Sequence, residues 1–97
     1  MSGISAVIIT LNEEKNISRC LESVTKVADE IIIIDSFSED RTVEISKSYS
    51  ARVEQVEWKG YAKTKNYGNS LATNDYILSI DADEVISPQL VESILSV

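Results

Sequence analysis

Residues 30–35 read Glu-Ile-Ile-Ile-Ile-Asp, "EIIIID", and the kind of fold turns on this short run. Four consecutive isoleucines cannot alternate between a wet and a dry face. They suit a strand covered on both faces, as in a parallel sheet layered by helices. Ile4 to Leu11, "ISAVIITL", has the same character and predicts the strand before it. Arg52 to Trp58, "RVEQVEW", alternates more, which predicts a strand near an edge. Tyr76 to Asp81, "YILSID", predicts a fourth.

Helical patterns fill the intervals. Ile17, Cys20, Leu21 and Val24 fall at i, i+3, i+4 and i+7, one apolar stripe. In "SEDRTVEISKSYS", Ser38 is expected as N-cap with acids in the first turn, ahead of Val43, Ile45 and Tyr49. "GYAKTKNYGNSLA" predicts a third helix, weakened by Gly68. "SPQLVESILSV" places Ser87 at the N-cap and Pro88 at the first helical position, with Leu90, Val91, Ile94 and Leu95 as the buried face. Strand and helix thus alternate four times. That order implies right-handed crossovers and a three-layer α/β/α sandwich around a mostly parallel sheet.

At 97 residues the chain is one small domain or a piece of a larger one. The alternation stops just after the fourth helix, so an N-terminal portion of a longer enzyme is expected. A net charge of -7 argues against a nucleic-acid binder and against docking on anionic lipid by charge. Histidine is absent, which rules out His-based triads and His-ligated zinc within these residues. The single cysteine, Cys20, excludes an internal disulfide and fits a reducing compartment. The N-terminal residues do not read as a signal peptide, and no apolar run has the length of a membrane span. A cytoplasmic protein, free or peripheral on a membrane, is expected.

Ligands of open parallel sheets bind beyond the carboxyl ends of the strands. Four polar segments occupy those ends: Thr10-Leu-Asn-Glu-Glu14, Asp35-Ser-Phe-Ser-Glu-Asp-Arg-Thr42, Trp58-Lys-Gly-Tyr-Ala-Lys-Thr-Lys65 and Asp81-Ala-Asp-Glu84. Asp81 and Asp83 point the same way on an extended chain and repel each other. A divalent cation such as Mg²⁺ or Mn²⁺, bridging one or two carboxylates to substrate phosphates, offsets that repulsion. A solvated turn with no ligand is the plain alternative. Asp35 is either a turn residue or an acceptor for a ribose or base N–H. Lys63 and Lys65 are either solvated or contact a diphosphate. Asn12 and Glu13 either cap the first helix or touch a nucleotide. No GxGxxG or Walker pattern is present, so NAD and P-loop ATP binding lack their fingerprints.

In combination, T-L-N-E-E after the first strand, D-S-x-S-x-D-x-T after the second and D-A-D-E after the fourth resemble the N-terminal half of family-two, inverting glycosyltransferases with the GT-A fold. The resemblance runs from about Ile4 to Leu90 and is nearest to bacterial lipopolysaccharide-core glucosyltransferases. It implies a Rossmann-like, nucleotide-sugar-binding part spanning residues 1–97. Thr10, Leu11, Asn12 and Glu13 would line the nucleoside pocket, and Asp35 would hold the base or ribose. Lys63 and Lys65 lie where the family places a basic residue. Asp81 would contact the ribose or the metal's waters, and Asp83 would coordinate Mg²⁺ or Mn²⁺. The implied partners are a nucleotide-sugar donor, usually a UDP-sugar, and a saccharide or lipid-linked acceptor. The family's catalytic base follows the metal motif and is expected beyond Val97, so this chain alone is expected to be inactive. Two other classes stay in view. One is a receiver-like signalling domain, which needs an acceptor Asp where this chain has Trp58-Lys59. The other is a non-catalytic fragment that binds nucleotide or associates with itself through an open sheet edge.

Overall fold

All four isoleucines of the opening run are buried, and they divide between two cores. Ile31 and Ile33 join the larger cluster, whereas Ile32 and Ile34 join Val7 on the opposite face. A computed structural model describes residues 3–96. The elements are β1 (Ile4–Thr10), α1 (Ile17–Val24), β2 (Glu30–Asp35), α2 (Thr42–Ser48), β3 (Arg52–Gln55), α3 (Tyr61–Leu71), β4 (Tyr76–Ser79) and α4 (Pro88–Leu95). The strands form one sheet in the order β3-β2-β1-β4, with every neighbouring pair parallel. The chain therefore steps outward from β1 to β3, then crosses back to place β4 on the other side of β1. The direction reverses between β1 and β4, which makes the crevice at their carboxyl ends the switch point of the fold.

The layers follow from this path. Residues of α1, α2 and α4 pack on one face, around Ala6, Ile8, Ile31 and Ile33. The thinner opposite face holds Val7, Ile32 and Ile34 against α3, with Leu71 and Ala72 at its rim. Gly68 earns its place here. A Cβ on it would stand 2.5 Å from Val7 Cγ1 and 3.0 Å from Ile34 Cγ1, so it lets α3 approach the sheet rather than merely weakening the helix.

The expected α4 face is corrected. Val91 and Ile94 pack on the core, but Leu90 and Leu95 are 47% and 56% exposed. The helix sits beside an edge strand, so its apolar stripe finds only half of a sheet to cover. Its start is as expected: Ser87 Oγ accepts from Leu90 N at 3.1 Å, with Pro88 following. The two sheet edges also differ. β3 carries the Arg52–Glu54 ion pair, whereas β4 exposes Tyr76 and Ile77 and carries no charge. Both edge strands are shorter than their apolar runs suggested, β4 because its ladder peels away where Ile80 N reaches Val7 O at 3.5 Å.

Candidate functional site

The loop after β1 is zipped to the loop after β2. Asn12 N donates to Ser38 Oγ at 2.8 Å, and Glu39 N donates back to Asn12 Oδ1 at 2.8 Å. Glu13 N donates to Thr42 Oγ1 at 2.8 Å, and Glu14 N to Asp40 Oδ2 at 3.1 Å. Asn12 holds φ at 53°, a left-handed conformation that Asn tolerates better than most residues. Its motif role is thus visible without any ligand: it turns the chain and fastens the neighbouring loop.

Asp35 is the hub beneath this zipper. It lies opposite Thr10 in the sheet register and is 0% exposed. Oδ1 accepts from Thr10 Oγ1 at 2.6 Å and from Ser38 Oγ at 2.5 Å. Oδ2 accepts from Ser38 N at 2.8 Å and from Gln55 Nε2 at 3.2 Å. Four donors occupy the four lone-pair positions of a carboxylate. The expected acceptor for a base or ribose is therefore already engaged, and it links β1, β2, the β2–α2 loop and the end of β3.

Sequence placed Ser38 at the N-cap of α2, but its side chain is spent on Asp35. The helix begins at Thr42, whose N and Oγ1 donate to Asp40 Oδ1 at 2.9 and 2.5 Å. Desolvation pushes the Asp40 carboxyl up, but the donors from Thr42 and Glu14 outweigh it and hold it below its ordinary range. Arg41 pairs with Glu44 at the surface. Ser38, Asp40 and Thr42 are letters of the D-S-x-S-x-D-x-T motif whose site-building role the pattern did not give, and Gln55 is a site-building residue it did not single out. The signal was present: Ser, Thr and Asp beyond a strand end compete for backbone donors.

The segment after β4 is built differently. Asp81-Ala-Asp-Glu84 is a turn, not the extended chain assumed from sequence: Glu84 N donates to Asp81 O at 3.0 Å, and Asp81 N donates to Glu84 Oε1 at 2.8 Å. Ala82 and Ile86 plug into the core, while Asp81, Asp83 and Glu84 stay outside. α1 anchors the turn from behind, with Ser23 Oγ accepting from Ile86 N at 3.0 Å and Cys20 Sγ lying 3.7 Å from Asp81 O. Both aspartates thus emerge on the solvent side of one buried alanine. Among the described residues, neither carboxylate accepts a hydrogen bond.

The two acidic loops act on a common region. Burial, followed by the charges of Glu84, Asp83, Glu13 and Asp81, pushes the Cys20 thiol up to about 11. Glu13 comes from the β1 side and the other three from the β4 side, so the field converges at the switch point. Among the described residues, no three His, Cys, Asp or Glu side chains close on a single metal position. The donor set fits an open Mg²⁺ or Mn²⁺ site, which takes one or two carboxylates and completes its shell with water and phosphate oxygens.

Beyond β2 and β3 lies a cavity of about 440 Å³, lined in part by Phe37, Gln55, Val56, Lys63, Thr64 and Tyr67. Lys63 faces it, but Lys65 does not: its Nζ sits 5.4 Å from the centre of the Tyr61 ring and 3.4 Å from that hydroxyl. Positions two apart on a helix point away from each other, which separates the paired lysines of the sequence. Leu11 is exposed beside the zipper.

The all-parallel sheet ordered 3-2-1-4 between helical layers is shared with solved GT-A glycosyltransferases. Staphylococcus aureus TarS (residues 1–349) superimposes with a TM-score of 0.83 at 26% identity, over 97% of this chain and 31% of that one. Glucosyl-3-phosphoglycerate synthase from Mycobacterium tuberculosis, crystallised with Mn²⁺, UDP and glucosyl-3-phosphoglycerate, gives 0.72 at 28% identity, over 84% of this chain and 33% of that one. Residues 5–97 match the family described as Glycosyl transferase family 2, and the chain belongs to that family. An uncharacterised glycosyltransferase of Rickettsia typhi is 44% identical over 97% of this chain and 32% of its own length. The lipopolysaccharide core biosynthesis glycosyltransferase LpsC of Rhizobium meliloti is 37% identical over 92% and 34%. The chain spans about a third of the length of these relatives.

Proposed function

We propose that the chain is the donor-binding part of an inverting glycosyltransferase that moves a sugar from a nucleoside diphosphate, a UDP-sugar, to an acceptor hydroxyl. The observation that carries this reading is the pair Asp81 and Asp83, exposed at the switch point with no donor from the described residues on either carboxylate. Asp83, assisted by Asp81, would hold Mg²⁺ or Mn²⁺ against the diphosphate. When bound, the cation supplies Lewis-acid stabilisation of the departing diphosphate. The zippered loop from Thr10 to Glu13 and the hub Asp35 shape the nucleoside side, and Lys63 offsets phosphate charge. Lys65 is held on Tyr61 and acts at most from further out. The crystallised relative with UDP and Mn²⁺ supports this choice of donor and metal.

An acceptor saccharide or lipid-linked sugar of bacterial surface polysaccharide, lipopolysaccharide above all, is in keeping with the LpsC likeness. Among the described residues no helix is long and apolar enough to cross a membrane. A cytoplasmic enzyme working peripherally at the inner membrane suits such an acceptor. The general base that inversion requires is not assigned to any of these residues, so this chain alone binds donor without transferring sugar.

Calorimetric titration of the chain with UDP, with and without Mn²⁺, tests the reading. Binding that needs the metal is expected. Equal heats in both titrations would remove the role given to the aspartates, and sugar transfer by the chain alone would overturn its assignment as a donor-binding part.

A further inference from the structure

Phe37 occupies the tip of the β2–α2 loop with φ at 56°. This is the left-handed region, which glycine adopts freely and a bulky L residue adopts only under constraint. The constraint is visible on both sides. Ser36 N donates to Thr10 O at 3.0 Å, and Ser38 N donates to Asp35 Oδ2 at 2.8 Å. Held at both neighbours, the tip cannot relax, and the ring projects outward, 56% exposed. It belongs to neither apolar cluster, so the fold gains nothing evident from it. Strain of this kind persists where a site uses it.

The ring does line something: the 440 Å³ cavity shared with Gln55, Val56, Lys63 and Tyr67. That size lies within the range of small-molecule sites. Its walls combine the aromatic and aliphatic surface of Phe37, Tyr67 and Val56 with the Gln55 amide, two lysines, Lys59 and Lys63, and one carboxylate, Glu57. The excess of cation over anion suits a flat heterocycle carrying a phosphate. Gln55 joins the cavity to Asp35, and through Asp35 to the zippered loops. We propose that Phe37 is the stacking platform for the donor's nucleobase, held in a strained conformation so that its ring faces the base. The proposal rests on the nucleotide-donor reading and adds to it the residue that distinguishes a nucleotide from a bare diphosphate.

The test compares two probes on three proteins. Wild type, Phe37→Gly and Phe37→Trp are each titrated calorimetrically with UDP and with inorganic pyrophosphate, both with Mn²⁺. Loss of an aromatic stacking partner should weaken UDP binding by about tenfold or more, while pyrophosphate affinity stays within about twofold. Phe37→Trp should keep UDP affinity. Phe37→Gly should melt no lower than wild type, because glycine is at ease at this φ, so weaker binding would not reflect a damaged fold. If wild type binds UDP and Phe37→Gly binds it equally well, or if both ligands weaken together, the platform is refuted and the donor reading survives. If wild type binds UDP no more tightly than pyrophosphate, the platform is likewise refuted. If wild type binds neither, the donor reading itself falls and the platform with it.

Discussion

Asp35 and the Asp81–Asp83 pair stand at equivalent places, just at or beyond the carboxyl ends of parallel strands, yet their surroundings are opposite. Asp35 is fully buried, with four donors on its two oxygens. Asp81 and Asp83 are exposed, with no donor from the described residues on either carboxylate. The first uses its acceptors to hold three strands and the β2–α2 loop together. The second pair keeps its acceptors free for something from outside. A motif acid can therefore be needed either because it builds a site or because it fills one, and only its hydrogen bonds tell the two apart.

The contrast is broken most directly at Asp35. Asp35→Ala leaves four donors without their acceptor and should cost about 3 kcal/mol of stability in urea denaturation. A loss below about 0.5 kcal/mol would mean that water or a neighbour replaces the hub with ease. Next comes the helix that packs on that part of the sheet, α3. Gly68→Ala drives a methyl into Val7 and Ile34 and should cost about 1–3 kcal/mol by the same assay, in the range of overpacked cores. An unchanged midpoint would show that α3 rides freely on the sheet.

At the open pair the effect moves from stability to binding. Asp83→Asn should leave the denaturation midpoint within about 0.5 kcal/mol of wild type, as for a surface change. It should weaken Mn²⁺-dependent UDP binding by about tenfold or more, equivalent to about 1.4 kcal/mol. Unfolding without a binding defect would reverse the roles assigned to the two acidic sites.

The smallest effect is acid sensitivity. The Ser5 hydroxyl and the Thr73 N–H hold Glu30 below its ordinary 4.5, and Asp40 is likewise depressed. Carboxyls with lowered folded values contribute stability above the ordinary carboxylate range, and that contribution is lost as pH falls through the depressed values. The melting temperature should fall modestly on acidification from about pH 5 to about pH 3, and Glu30→Gln should shrink the fall. Equal falls in both proteins would place the acid-sensitive groups elsewhere.

Much of the fold was legible because burial leaves a strong trace in sequence. The isoleucine run gave β2 to the residue, and the stripe from Ile17 to Val24 gave α1. Ser87-Pro88 marked the start of α4. The acids beyond β4 were legible as a group, but their geometry was not. The turn exists because Ala82 and Ile86 find room in the core beside α1, a contact more than fifty residues away in sequence. Lys63 and Lys65 looked equivalent until helical geometry and Tyr61 parted them. Phe37 carried no sequence signal at all, since nothing in "DSFSED" announces a left-handed backbone.

Apolar periodicity alone determined the alternation of strand and helix, the parallel sheet and the rim where polar residues gather, because each depends on which side chains leave water. Tertiary structure decided which of those polar residues are free. A hydrogen bond needs a partner within about 3 Å at the right angle, and that partner is supplied by a different part of the chain. Composition and spacing record that Asp35 and Asp83 are both aspartates at strand ends. Only the folded arrangement of Thr10, Ser38 and Gln55 around the one, and of solvent around the other, makes them different.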